Sequence, residues 1–247
     1  MRIAKRIGDS IREAKGDRTR YVEPFVGAGS VLAQVARDFE RVEASDAHVD
    51  LILMWQALQQ GWKPPLIVTK EDHDRLRHAE PSAERAFVGF ACSFGARWFS
   101  TYAAPNYQAK PPEGYAGVAW RGLVKKMDRG AVDPHVTFAV RDGIEVLTDP
   151  ELLADADDLV VYVDPPYLGR SGFRGSTGKM PPLDFDVFWS ACLDLVRAGA
   201  VVFATEYQAP PEWVPHDVVW EAQLRHTMHG HQKSNPAPEQ LYRLRQP

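Results

Sequence analysis

The run Leu159-Val160-Val161-Tyr162-Val163 is apolar at every position, and Asp164-Pro165-Pro166-Tyr167 follows it at once. A strand with one wet face alternates polar and apolar residues. A strand with no polar face is covered on both sides, as in mainly parallel sheets flanked by helices. The opening of the chain carries the same message. Tyr21-Val22 predicts a short strand, Gly27-Ala28-Gly29-Ser30 a turn, and VLAQVARDF a helix from near Val31. Residues 41–45 predict a second strand closed by Asp46, and residues 51–58 a second helix. Strand, glycine turn, helix, strand, acid is the opening of a doubly wound α/β fold. HVTFAVRD (135–142) and AVVFATEY (200–207) add strands, and Ile3, Ile7 and Ile11 at helical spacing predict a helix ahead of the first strand. Between 63 and 133 no strand alternation is found. We expect one Rossmann-like α/β domain over 1–62 and 134–247, carrying an inserted small helical domain over 63–133.

The bulk properties narrow the setting. A chain of 247 residues can bury a sizeable core without staples. Its two cysteines, Cys92 and Cys192, form no disulfide framework or zinc knuckle, so a reducing, cytoplasmic location is expected. No apolar run approaches the ~20 residues that span a bilayer, so no membrane association is expected. The first residues are charged and lack the apolar core of a signal peptide. A net charge of −4 does not advertise nucleic-acid binding, but such binding needs only a local basic face.

Two motifs carry chemistry. Glu23-Pro24-Phe25-Val26-Gly27-Ala28-Gly29 sits at a strand-to-helix turn, where glycines let a ligand approach the main chain. Asp46, at the end of the next strand, can accept hydrogen bonds from ribose hydroxyls. Leu32 stands where a dinucleotide fingerprint would have its third glycine, which argues against that class. The tetrapeptide 164–167 lies at the carboxyl edge of the sheet, where open α/β sheets bind ligands. Its prolines lack N–H donors, so the loop presents mainly acceptors. The Asp164 carboxylate and the Pro165 carbonyl can both accept hydrogens from one NH2 group, and Tyr167 offers a face for a planar base. Such a pair of acceptors suits an aromatic amine, whose lone pair must leave conjugation to attack a methyl group.

In this order the motifs Glu23-Pro24-Phe25-x-Gly27-x-Gly29, Asp46, a helical insertion, Asp142 and Asp164-Pro165-Pro166-Tyr167 resemble the Dam-like DNA N6-adenine methyltransferases. Ser93-Phe94-Gly95-Ala96-Arg97-Trp98-Phe99 resembles bacteriophage-type members. The resemblance covers most of the chain. It implies S-adenosylmethionine as cofactor, with the turn from Phe25 to Gly29 holding its methionine part, Asp46 its ribose and Asp142 its adenine; Glu23 and Pro24 belong to the same motif. Asp164, Pro165, Pro166 and Tyr167 would hold the target adenine, and the insertion would contact double-stranded DNA. Family members usually begin with an aromatic-Gly-Gly-Lys segment before a helix, whereas this sequence opens at Arg2-Ile3-Ala4-Lys5. Either the start lies further upstream or the cofactor is held differently.

Basic residues expected to face phosphates are Arg97, Lys125 and Lys126 in the insertion, and Arg170, Arg174 and Lys179 in the loop after the tetrapeptide. An adenine in duplex DNA cannot reach that tetrapeptide, so base flipping is implied. Trp98, Phe99, Tyr102, Tyr107 and Tyr115 are read as packing groups rather than fillers of the vacated stack. His226, His229 and His231 have no acid or cysteine at ligand spacing, so no metal is expected. The chain is expected to act as a monomer or weak dimer. Protein glutamine methyltransferases use a similar loop, but as a family they carry Asn where this chain has Asp164. An RNA adenine substrate fits the same motifs, as does an inactive descendant that still holds DNA or a partner. A role in restriction–modification, in phage genome modification or as an orphan regulatory mark is left open.

Overall fold

The computed structural model describes residues 2–104, 114–166, 174–175, 178–179, 182–222 and 239–247. Its centre is a seven-stranded sheet in the order β3-β2-β1-β4-β7-β9-β8. The strands are β1 (Arg20–Glu23), β2 (Arg41–Asp46), β3 (Val136–Val140), β4 (Leu159–Val163), β7 (Val201–Glu206), β8 (His216–Ala222) and β9 (Glu239–Leu244). Two further short strands, β5 (Arg174–Gly175) and β6 (Gly178–Lys179), pair as a separate antiparallel ribbon. The first five strands of the sheet run parallel; β9 pairs antiparallel with β7, and β8 with β9.

The apolar β4 run is buried along its whole length, and its residues alternate between two cores. Val160 and Tyr162 join a cluster with α1 (Arg2–Ala14), α2 (Leu32–Val35), α3 (Val49–Gln59), α5 (Ala83–Ala91) and α6 (Gly114–Met127). Leu159, Val161 and Val163 face the opposite way, into a cluster with α7 (Gly143–Leu147), α8 (Pro150–Ala154) and α9 (Phe185–Arg197). β7 divides in the same manner, Val201 and Phe203 one way, Val202 and Ala204 the other.

The first cluster contains Phe87 and Val88 of α5 and Leu123 of α6, which belong to the insertion. The insertion thus shares the core of the sheet rather than building one of its own. Its other helix, α4 (Lys70–Arg77), starts with a capping box between Thr69 and Asp72. A buried ion pair also ties it in. Arg85 Nη1 donates to Asp50 Oδ2 at 2.9 Å, the Ser82 amide donates to Asp50 Oδ1 at 2.8 Å, and Arg85 Nε reaches the Leu76 carbonyl at 3.1 Å.

Several elements have no clear signal in the sequence. β8 and β9 form the antiparallel edge, and β8 carries a bulge between Val218 and Trp220 that interrupts its register. α7, α8 and α9 begin at Asp142, Asp149 and Asp184, whose side chains accept from the first free amides. The helix expected from Val31 is only one turn, Leu32–Val35, and then tightens into a 3-10 turn over Ala36–Asp38. Val35, at φ −121°, breaks it between the two.

Candidate active site

Five acids gather at the carboxyl ends of the parallel strands: Glu23 ends β1, Asp46 ends β2, Asp142 follows β3, Asp164 follows β4 and Glu206 ends β7. The chain order reverses between β1 and β4, which opens a crevice at that edge. The glycine turn and Asp164 flank it.

The turn is held from below. The Gly29 amide donates to the Val26 carbonyl at 2.7 Å, and the Gly27 amide to Asp46 Oδ2 at 3.0 Å. Asp46 Oδ1 accepts from the His48 amide at 2.8 Å, so one carboxylate links the turn to the start of α3. Burial raises the Asp46 pKa, against those two backbone hydrogen bonds. Trp55 Nε1 donates to the Gly27 carbonyl at 3.0 Å, and its ring stacks on Phe138. Both glycines take positive φ, +44° at Gly27 and +61° at Gly29. Their surroundings differ. A Cβ on Gly29 would stand 2.6 Å from the Trp55 ring, whereas a Cβ on Gly27 would meet no protein atom within 4 Å. Gly29 is thus required by packing, and Gly27 borders open space.

Pro24 is buried, and Phe25 is half-buried with its ring against Gly143, where a Cβ would come within 2.1 Å of it. Asp142 is exposed, and its Oδ1 caps α7 by accepting from the Ile144 and Glu145 amides. Glu23 lies beneath the turn, 2% exposed, and accepts the Tyr21 hydroxyl at 2.7 Å. Burial, with Asp164 nearby, pushes its pKa up to about 8, against the Tyr21 hydrogen bond and the Lys126 charge.

Asp164 itself is exposed, Pro165 buried and Pro166 half-buried. The Thr205 hydroxyl donates to Asp164 Oδ1 at 2.9 Å, and the Tyr162 hydroxyl lies 2.9 Å from Thr205 Oγ1. The neighbouring strand therefore orients the carboxylate. A cavity of about 470 Å³ opens beside β7, lined by residues including Leu183, Phe185, Trp189, Glu206 and Gln208.

Of the expected basic residues, Arg97 and Lys125 are exposed, and Arg174 and Lys179 pair across the ribbon β5–β6. Lys126, grouped by sequence with the DNA-facing residues, sits at the glycine turn, with Nζ 2.5 Å from the Ala28 carbonyl. Tyr167, Arg170, Tyr107, His226, His229 and His231 lie outside the described residues. Among the described residues no group of three or more His, Cys, Asp or Glu could hold a metal, and no helix is long and apolar enough to cross a membrane. Trp98 and Phe99 pack against each other and against His48, Phe90 and His73, as packing groups should. Tyr102 donates to the Val68 carbonyl, whereas Tyr115 is exposed.

Residues 1–86 match the model of the D12 class N6 adenine-specific DNA methyltransferases. The match covers the first third of the chain, from α1 through the glycine turn and Asp46 into α5. No curated protein matches the chain. Solved structures similar to it include the rRNA methyltransferase aviRa from Streptomyces viridochromogenes, at 17% identity over 97% of this chain and 84% of that one, TM-score 0.42. A SAM-dependent methyltransferase from Agrobacterium tumefaciens is 11% identical over 98% and 61%, TM-score 0.42. Precorrin-6y C5,15-methyltransferase from Geobacter metallireducens is 11% identical over 98% and 87%, TM-score 0.38.

Sequence reasoning missed Trp55, Gly143, Thr205 and Glu206 at this site. Trp55 had no signal beyond helical spacing. Thr205 and Glu206 end an apolar strand, which is the place to look for partners of Asp164.

The buried Glu23 gives a pH dependence. Between its ordinary value of 4.5 and about 8, the folded protein keeps a proton that the unfolded chain has released. Stability therefore falls as pH rises through that window and levels off above it. Glu23→Gln, which stays neutral and still accepts from Tyr21, should flatten this decline. Urea unfolding at pH 5, 6.5 and 8 measures it; equal slopes in both proteins would show that Glu23 is ionised at neutral pH.

Proposed function

We propose that the chain is a site-specific DNA methyltransferase that transfers a methyl group from S-adenosylmethionine to the exocyclic N6 amine of adenine in double-stranded DNA. The observation that carries the reading is Asp164. It stands one strand from the glycine turn, with its carboxylate set by Thr205 and followed by a proline that has no N–H to offer. The family match over residues 1–86 supports the same substrate.

The donor, when bound, supplies an electrophilic methyl group on a sulfonium. The open space at Gly27 accommodates its methionine end, and the acids of the crevice suit its positive charge. Asp46 would hold the ribose and Asp142 the adenine, with the Phe25 ring packed on Gly143 beside them. Asp164 and the Pro165 carbonyl accept the two amine hydrogens of the target, drawing the nitrogen toward tetrahedral geometry with its lone pair free. As the amine gains positive charge, the Asp164 carboxylate stabilises it. Tyr167 stacks on the base.

The base must leave the duplex, at a cost of a few kcal/mol. The cavity beside β7 is lined by Glu206, the residue after Thr205, which holds Asp164, and would give room for an extruded base. The insertion supports a DNA-facing role through its turn at 93–102. There Phe94 is 59% exposed and Arg97 exposed, while the Phe94 amide is fixed to the Thr101 carbonyl at 2.8 Å. Arg97, Lys125, Arg170, Arg174 and Lys179 would meet phosphates, and a cytoplasmic setting suits this substrate.

The test is transfer of labelled methyl from S-adenosylmethionine to unmodified duplex DNA, followed by nucleoside analysis. Label in N6-methyladenine is the expected result. Label only in RNA or protein overturns the substrate, and no label in any substrate, with cofactor bound, overturns the enzyme. A second prediction isolates the turn. Gly27→Asn, which tolerates the positive φ of this position, places a side chain in the open space and should abolish cofactor binding while the fold survives. Unchanged affinity in a binding titration would remove the turn from the site.

A further inference from the structure

Lys126 belongs to the insertion by sequence, yet it stands at the cofactor turn. It is in the last turn of α6, half-buried, with its ammonium against the Ala28 carbonyl between Gly27 and Gly29. Burial lowers its pKa, and the buried Glu23 is its nearby acid. An ammonium has three donors, and the carbonyl takes one.

The surroundings call for this cation. The methionine end of the donor carries an ammonium, a sulfonium and a carboxylate. Asp46, Asp142 and Asp164 stand at the strand ends that border the crevice; as carboxylates they attract the first two and repel the third. The Gly27 and Gly29 amides, which could have received a carboxylate, are engaged by Asp46 and the Val26 carbonyl. Glu23 keeps its proton up to about pH 8, so it does not neutralise Lys126 at neutral pH. A partly buried cation whose neighbouring acid is uncharged is a ready site for an anion.

We propose that Lys126, delivered by the helical insertion, holds the carboxylate of the cofactor's methionine end. The insertion then completes the cofactor site as well as facing DNA. The inference rests on the reading of the glycine turn as the cofactor's seat.

The test uses two ligands that differ at the methionine end. S-adenosylhomocysteine carries the carboxylate; 5′-methylthioadenosine lacks it. Calorimetric titration of the whole chain should show Lys126→Met binding S-adenosylhomocysteine about 10- to 100-fold more weakly, the size of a lost charge-assisted hydrogen bond. Binding of 5′-methylthioadenosine should stay within about twofold of the unsubstituted protein. Lys126→Arg, which keeps the charge, should recover most of the loss. Equal weakening of both ligands would mean that Lys126 only shapes the turn, and no weakening of either would remove it from the site; both overturn the proposal. If the unsubstituted protein binds neither ligand, the reading of the turn falls, and the proposal with it.

Discussion

Replacing Asp164 with alanine should lower methyl transfer to adenine by on the order of a thousandfold, while S-adenosylhomocysteine should bind within about threefold of the unsubstituted protein. The size follows from what the carboxylate does. In the proposed reaction it accepts an amine hydrogen and faces charge that grows on nitrogen only as the methyl group arrives, so its loss would fall on the rate rather than on cofactor affinity. Thr205 holds one of its oxygens at 2.9 Å, which fixes the direction in which the carboxylate points. Asp164→Asn keeps the shape and one acceptor but loses the charge, and should fall between the two. Single-turnover rates with labelled cofactor measure the first effect and calorimetry the second. A rate within tenfold of normal, or lost cofactor binding in a folded protein, would take Asp164 out of its role against the target base.

The second large effect is on stability. Arg85→Met should destabilise the protein by about 3–5 kcal/mol, because it leaves Asp50 as a buried charge without its cation. Asp50 is 0% exposed and Arg85 6%. The guanidinium also lies over the Trp98 ring, 5.1 Å from its centroid, below the exposed turn of the insertion. The loss should therefore loosen 93–102 as well as α5. Replacing both partners with apolar groups, Asp50→Leu with Arg85→Met, should recover much of the stability, since no charge is then stranded. Urea unfolding of the single and double variants decides it. A single-variant loss below about 1 kcal/mol would show that the pair does not anchor the insertion.

These two sites differ in how much of them is legible in the sequence. Asp164 is legible because local pattern reports it: an apolar run too long for a half-wet strand, then an acid and two prolines. The same holds for the glycine turn, Asp46, Asp142 and the parallel half of the sheet, where alternation and turn residues act over a few neighbours. The antiparallel edge is harder, because β8 is partly exposed and its register is interrupted, so no clean period marks it. Arg85 and Asp50 are 35 positions apart, and nothing in either neighbourhood announces the pair.

The α/β class, the order of the motifs, the acids that end β1 and β2 and the one that follows β4 can all be read from the sequence, because each depends on a short stretch of chain. Packing alone reveals that the insertion shares the main core, that Gly29 yields to Trp55 while Gly27 faces open space, that Thr205 aims Asp164, and that Lys126 lies against the glycine turn. Each of these is a contact between residues distant in sequence. It is fixed by how helices and strands pack into one close-filled interior, and that packing has no local period to read.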